Sequence, residues 1–147
     1  MKKVYCEVSK CLGCRSCEIA CAVEHSKGKT LFLAIKEDPI SIQRRKVQSV
    51  SKLVISDACH HCIEAPCVNA CMSGAMYKEK DGSTQHDEEK CVGCWMCIMA
   101  CPFGTISRSK KLAIKCDLCK DNVKGPMCVI SCPTKALLFK EVQRGDL

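Results

Sequence analysis

Cys11, Cys14 and Cys17 stand three residues apart, and Cys21 follows four residues later. Cys91, Cys94, Cys97 and Cys101 repeat that frame. Two wider versions accompany it: Cys59, Cys62, Cys67 and Cys71, with four residues in the middle gap, and Cys116, Cys119, Cys128 and Cys132, with eight. Thiolates at i, i+3 and i+6 wrap a tight loop around one small object, and soft sulfur donors suit iron–sulfur clusters as well as zinc. The C-x2-C-x2-C-x3-C-P run is an iron–sulfur signature whose fourth cysteine serves a neighbouring cluster. The reason is reach, because a short helix after the third cysteine carries the chain away from the first cluster. Group three ends in Pro102 as the signature requires, whereas group one has Ala22 there. Structural zinc is the competing reading, with His60 and His61 of CHHC as further ligands. Zinc sites use two ligand pairs, however, and groups one and three present triples with a trailing fourth. The two histidines read as hydrogen-bonding or packing residues beside a cluster. A zinc-stabilised interaction module stands as the remote alternative.

The rest of the composition agrees with metal. Seventeen of 147 residues are Cys, against one Trp, two Tyr and three Phe, so the aliphatic and aromatic core is thin. Small, thin cores depend on staples or metals. The start, MKKVYCEVSK, has no apolar signal-peptide stretch and no twin-arginine signal, and no window reaches the roughly 20 apolar residues of a membrane span. The expected location is the cytoplasm, where dense cysteine means metal binding and disulfides are rare. The formal charge of +7 counts every thiol as neutral. Metal-bound thiols are deprotonated, and four oxidised four-iron clusters with their thiolates would contribute roughly −8. The lysine excess therefore reads as compensation for buried anionic clusters, and no nucleic-acid partner is expected.

Such loops need elements to hold them. Lys3–Val8 alternates like a half-buried strand and is expected to pair with Ala136–Val142. Ala75–Glu79 and Ser83–His86 flank Asp81-Gly82, a hairpin-turn signal. Phe103–Ser107 with Leu112–Lys115, and Lys46–Val50 with Leu53–Ser56, read as two more hairpins. Cys17–His25 and Cys97–Cys101 read as short helices, and the stretch from Ser26 to Pro39 as a surface insertion.

At this level the chain resembles the four-cluster ferredoxin-type electron-transfer subunits of cytoplasmic and respiratory oxidoreductases. All four cysteine groups carry the resemblance, including CHHCIEAPCVNAC and CDLCKDNVKGPMC. KCLGCRSCEIACAVEHS, followed by LFLAIKEDP and a basic RR segment, is most similar to the iron–sulfur subunit of carbon monoxide dehydrogenase. CMSGA at Cys71 departs from the family's usual Cys-Pro and puts the local turn in doubt. The resemblance implies an α+β fold of two interleaved ferredoxin-like modules with pseudo-twofold symmetry, each for two 4Fe-4S clusters. One module would comprise residues 1–25 plus 112–147 and the other 56–111, with 26–55 an insertion carrying a hairpin and partner contacts.

The resemblance also implies the ligand sets: Cys11, Cys14, Cys17 with Cys132; Cys116, Cys119, Cys128 with Cys21; Cys91, Cys94, Cys97 with Cys71; Cys59, Cys62, Cys67 with Cys101. It implies a relay of single electrons through four clusters, without catalysis by this chain. The expected donor is carbon monoxide dehydrogenase, or alternatively formate dehydrogenase, hydrogenase or a molybdenum oxidoreductase. The expected acceptor is a hydrogenase, a flavin reductase or a ferredoxin. Among the remaining residues, Cys6 reads as an inert thiol on a strand and Trp95 as a shield against water. Pro102 and Pro133 fix the backbone after a ligand, while Pro66 and Pro126 shape the widened loops. Arg44, Arg45 and Lys46 read either as a solvated face or as a docking patch.

Overall fold

A computed structural model of the protein describes residues 1–141. Val142, expected at the end of a strand, lies outside the described residues, as does the rest of 142–147. Eight short strands pair into four separate antiparallel ribbons, and among the described residues no sheet is wider than two strands. β1 (Lys2–Cys6) pairs with β8 (Leu137–Glu141), placing Cys6 opposite Leu137. β2 (Arg45–Val50) and β3 (Leu53–Ala58) form one hairpin. β4 (Met76–Lys78) and β5 (Thr84–His86) form a second, turning where Gly82 takes a φ of 87° and Asp81 Oδ1 accepts from the Ser83 N–H at 2.8 Å. β6 (Ser107–Ser109) and β7 (Leu112–Ile114) form the third. The expected pairings are therefore present.

Five short helices complete the fold: α1 (Ser16–Glu24), α2 (Leu31–Lys36), α3 (Pro66–Asn69), α4 (Met96–Ala100) and α5 (Met127–Ile130). α1 packs on α5, and α3 on α4. No helix of the described residues is long and apolar enough to cross a membrane. A lone two-stranded ribbon is at best marginally stable in water. The ribbons must therefore lean on something, and two small cores receive them. One gathers Ala65, Cys67, Met76, Cys97, Ile106 and Ala113; the other gathers Cys17, Cys128 and Leu137, with Val4, Val47 and Cys132 against them. Apart from Met76, Ile106 and Leu137, the buried apolar residues are all Ala or Cys. A fully buried large aliphatic side chain contributes about 1.5–3 kcal/mol, so three of them are a meagre core.

Several boundaries differ from the sequence reading. The strand expected over Phe103–Ser107 begins only at Ser107, because the backbone of Phe103, Gly104 and Thr105 is turned onto the Cys101 sulfur. The stretch from Ser26 to Pro39, read as a surface insertion with no element assigned, contains α2, whose Thr30 side chain caps it by accepting from the Leu33 N–H at 3.4 Å. The β2–β3 ribbon of the insertion also reaches inward, with Val47 against the Cys17–Cys128 core. The β6–β7 hairpin spans residue 111, where the edge of a module was expected, and Ala113 lies in the core with Cys67 and Cys97.

Candidate iron–sulfur sites

The two perfect cysteine frames share one backbone path. Gly13 and Gly93, before the second cysteine, have φ of 70° and 69°; Arg15 and Trp95, after it, have φ of 60° and 65°. Left-handed residues on either side of Cys14 and Cys94 curl the loop so that three thiols face inward, and α1 and α4 start directly afterwards. Cys11, Cys14, Cys17 and Cys132 line a single small cavity. Cys71, Cys91, Cys94 and Cys97 line another. The other eight thiols sort themselves by mutual repulsion. Burial pushes Cys21 up to about 12, opposed by a hydrogen bond from the Arg44 N–H and reinforced by Cys116, Cys128 and Cys119. Burial likewise raises Cys67, with Cys59, Cys101 and Cys62 adding to it. Cys21 thus lies near Cys116, Cys119 and Cys128, and Cys67 near Cys59, Cys62 and Cys101.

Three of the four trailing cysteines end in the same turn. The N–H groups of Gly74, Gly104 and Lys135 donate to the carbonyls of Cys71, Cys101 and Cys132 at 3.2, 3.3 and 3.2 Å. All three donors have positive φ, 69°, 61° and 52°. Met72 therefore permits the turn that Pro102 and Pro133 make elsewhere, which resolves the doubt over CMSGA. The turn aims backbone N–H groups at sulfur: Met76 N on Cys71 Sγ at 3.3 Å and Ala136 N on Cys132 Sγ at 3.2 Å. Burial would raise Cys71, Cys101 and Cys132, but these backbone bonds and the hydroxyls of Ser73, Thr105 and Thr134 hold them below the ordinary thiol range. Cys21 lacks that turn, since it lies inside α1. Its backbone donor comes from far along the chain, Arg44 N at 3.2 Å.

Charge and hydrogen bonding both indicate that anionic sulfur belongs here. Lys3, Arg45 and Lys115 are only 6%, 3% and 2% exposed. Lys115 Nζ donates to the carbonyls of Thr84 and Cys116, and Arg45 Nη1 to the Ser56 carbonyl at 2.7 Å. Neutral acceptors do not neutralise a buried cation, which normally needs an ionised partner. Their neighbours include thiols: Lys3 pulls down Cys62, Arg45 pulls down Cys17 and Cys116, and Lys115 pulls down Cys67 and Cys116, in each case against a larger effect of burial, while Arg45 also acts on the Asp57 carboxylate. Four buried nitrogens are also left without a hydrogen-bond partner among the described residues: Arg44 Nε, Arg45 Nε, His61 Nε2 and His86 Nε2. The residues that carry these nitrogens also meet thiols or their neighbours through other atoms: the Arg44 backbone N–H donates to Cys21 Sγ, Arg45 Nη1 to Ser56 Oγ next to Cys17, the His61 backbone N–H to Cys59 Sγ at 3.5 Å, and His86 lines the Cys71 cavity. Anionic sulfur fits such donor-rich surroundings.

Other residues fall as follows. His61 is fully buried, and its Nδ1 accepts from the Thr84 N–H at 3.1 Å. Burial, with Lys115, Lys3 and Lys78 nearby, pushes its pKa down to about 3. His60 stacks on Phe103 at 4.0 Å and meets Asp57 at 3.0 Å. Both are the packing and hydrogen-bonding residues expected. Trp95 is half-buried in the wall of the Cys94 cavity, with the Arg108 guanidinium 4.7 Å from its ring. Cys6 is half-buried, its sulfur accepting from the Ser56 N–H at 3.4 Å. Arg44 and Arg45 require correction. Neither forms a solvated face or a docking patch: Arg45 is buried, and Arg44 Nη1 donates to Asp117 Oδ2 at 2.6 Å. Of the three, only Lys46 is exposed. Asp117 and His25 were not singled out in the sequence, although both flank cysteine groups. His25 Nδ1 donates to the Cys21 carbonyl at 2.7 Å and Nε2 to Asp117 Oδ1 at 3.1 Å.

Loops of this shape, lined by four thiols and backed by buried cations, are those of a ferredoxin-type iron–sulfur protein. The chain belongs to the 4Fe-4S dicluster domain family, which matches residues 50–142. The putative electron transport protein YsaA of Escherichia coli (strain K12) is 41% identical over 145 residues, spanning 96% of this chain and 90% of its own. The B subunit of the anaerobic dimethyl sulfoxide reductase of the same organism is 37% identical, over 97% of this chain and 77% of its own. The E. coli electron transport protein HydN is 33% identical, over 92% and 85%. The expectation of an electron carrier that performs no catalysis itself agrees with these relatives.

Proposed function

We propose that the chain relays single electrons through four 4Fe-4S clusters, held by Cys11, Cys14, Cys17 and Cys132; by Cys116, Cys119, Cys128 and Cys21; by Cys59, Cys62, Cys67 and Cys101; and by Cys71, Cys91, Cys94 and Cys97. The observation that carries this is the convergence of Cys11, Cys14, Cys17 and Cys132 on one cavity and of Cys71, Cys91, Cys94 and Cys97 on another, in a chain of the 4Fe-4S dicluster domain family. Each cluster supplies a one-electron redox centre. The chain's own residues set the order of transfer. Cys14 and Cys94 are exposed, so two of the four sets open to the surface, whereas Cys67, Cys116 and Cys128 are buried. The surface sets serve as entry and exit, and the inner two lie either side of Lys115, which acts on both Cys67 and Cys116.

The donor favoured by the resemblance of residues 10–45 is carbon monoxide dehydrogenase, with a hydrogenase, flavin reductase or ferredoxin as acceptor, in the cytoplasm. Kinship with a subunit of dimethyl sulfoxide reductase supports a second reading, in which the same relay serves formate dehydrogenase, hydrogenase or a molybdenum oxidoreductase. Anaerobic purification tests the relay. Brown protein with about 16 iron atoms fits four cubane clusters, and colourless protein with stoichiometric zinc ends the proposal. Affinity capture from native cells, with the bound catalytic subunit identified, separates the two partner readings.

A further inference from the structure

Arg44 and Asp117 connect two observations that the relay alone does not explain. Cys21 lacks the turn that gives Cys71, Cys101 and Cys132 their backbone N–H donors, yet its sulfur accepts the Arg44 N–H at 3.2 Å. Arg44 is separated from Cys21 by the whole of α2 and its flanking loops, and it stands immediately before β2. Its side chain is anchored. Asp117 Oδ2 accepts from Arg44 Nη1 at 2.6 Å, while Oδ1 accepts from His25 Nε2 at 3.1 Å and from the Cys119 N–H at 3.0 Å. The guanidinium and the imidazole thus converge on one carboxylate, placed between Cys116 and Cys119 in the sequence.

We infer that Asp117 and Arg44 are positioning residues: the carboxylate clamps the Arg44 side chain so that its backbone N–H is delivered to Cys21 sulfur, and this sets the reduction potential of one cluster out of four. The inference rests on the proposed ligation of that cluster by Cys21, Cys116, Cys119 and Cys128. A hydrogen bond to thiolate sulfur favours the more negative, reduced cluster, and hydrogen bonds to sulfur are among the factors that tune such potentials. The insertion of residues 26–43 thereby acquires a part in the redox chemistry: it returns the chain to a sulfur that the helix has left without a turn of its own.

The clamp has charged members, so a test must separate field from position. Asp117→Asn and Asp117→Leu remove the same charge, but asparagine keeps one acceptor oxygen that can still take the Arg44 guanidinium, whereas leucine keeps none. In anaerobic redox titrations followed by electron paramagnetic resonance, the leucine variant should have one cluster harder to reduce than in the asparagine variant. The ratio of reduced to oxidised cluster at a fixed potential should differ by about tenfold, or about 59 mV for a one-electron couple. The affected signal should be the one that Cys21→Ser abolishes, and iron content should match the wild type. Equal potentials in the two variants would overturn the inference. A shift in a signal that Cys21→Ser leaves intact would instead overturn the assumed ligand set. A measurement on the unmutated protein stands even if the leucine variant does not fold. With ¹⁵N-labelled arginine, electron–nuclear double resonance should show one backbone nitrogen coupled to one reduced cluster, and its absence also rejects the inference.

Discussion

The ammonium of Lys115 donates to the carbonyl oxygen of Cys116 at 2.7 Å, so a buried cation is bonded to the backbone of a thiol-bearing residue. Its other acceptor is the carbonyl of Thr84, and no charge in that pair of bonds offsets its own. Lys115→Met is expected to leave iron content unchanged and to lower the potentials of two clusters, those of Cys67 and Cys116. Removing a nearby positive charge disfavours the reduced, more anionic state. A redox titration in which neither or only one potential falls would show that Lys115 does not lie between the two.

Gly93 and Gly13 occupy matching places in matching loops but face different neighbours. A Cβ at Gly93 would collide with the backbone carbonyl oxygen of Lys111, whereas one at Gly13 would meet Val54 Cγ1 at 3.1 Å. A valine side chain can turn aside and a carbonyl cannot. Both substitutions force a side chain into left-handed backbone, at about 1–3 kcal/mol each. Gly93→Ala should lose more thermal stability than Gly13→Ala and shed iron sooner on warming. Equal losses would mean that backbone strain alone sets the cost.

Cys132→Ser and Cys21→Ser lie on either side of the α1–α5 contact and are expected to remove different clusters. Each should cost about four iron atoms of the roughly sixteen expected, and the paramagnetic signals lost should not overlap. If both changes abolish the same signal, the assignment of trailing cysteines to neighbouring sets is wrong.

With only Met76, Ile106 and Leu137 as large buried apolar side chains among the described residues, the polypeptide depends on what its thiols bind. Stripping iron with an anaerobic chelator should abolish the cooperative thermal transition and the ribbon signal in circular dichroism, as in other small metal-dependent domains. An apoprotein that melts cooperatively near the temperature of the loaded form would refute this dependence.

Much of this was legible in the residues. Period-two alternation marked β1, Asp81-Gly82 marked the second hairpin, and the cysteine spacing marked α1 and α4 to within a residue. α2 escaped because LFLAIK has no polar face: Leu31, Phe32, Leu33 and Ile35 are all exposed, so helical periodicity carried no signal. α3 and α5 are only four residues long, yet Pro66 at the start of one and Pro126 ahead of the other were visible helix-start signals. Arg44 and Arg45 were misjudged for a different reason. A run of charges normally reads as surface, but here Arg44 is paired with Asp117, 73 residues further on, and Arg45 is folded against Ser56 among the thiols, long-range partners that the local run does not reveal.

The pairing of β1 with β8 also constrains how the molecule can be made. Cys11, Cys14 and Cys17 leave the ribosome early, but the cavity they share with Cys132 does not exist until residues past 132 have emerged and β8 has closed on β1. The Cys71 cavity needs nothing beyond Ala113. Its thiols can thus be sequestered in a chain that lacks β8, while those of the α1 loop remain open to oxygen and stray metals. A chain truncated after residue 115 and released from the ribosome should protect Cys97 from alkylation but leave Cys17 reactive, so that closure of the α1 loop waits for β8.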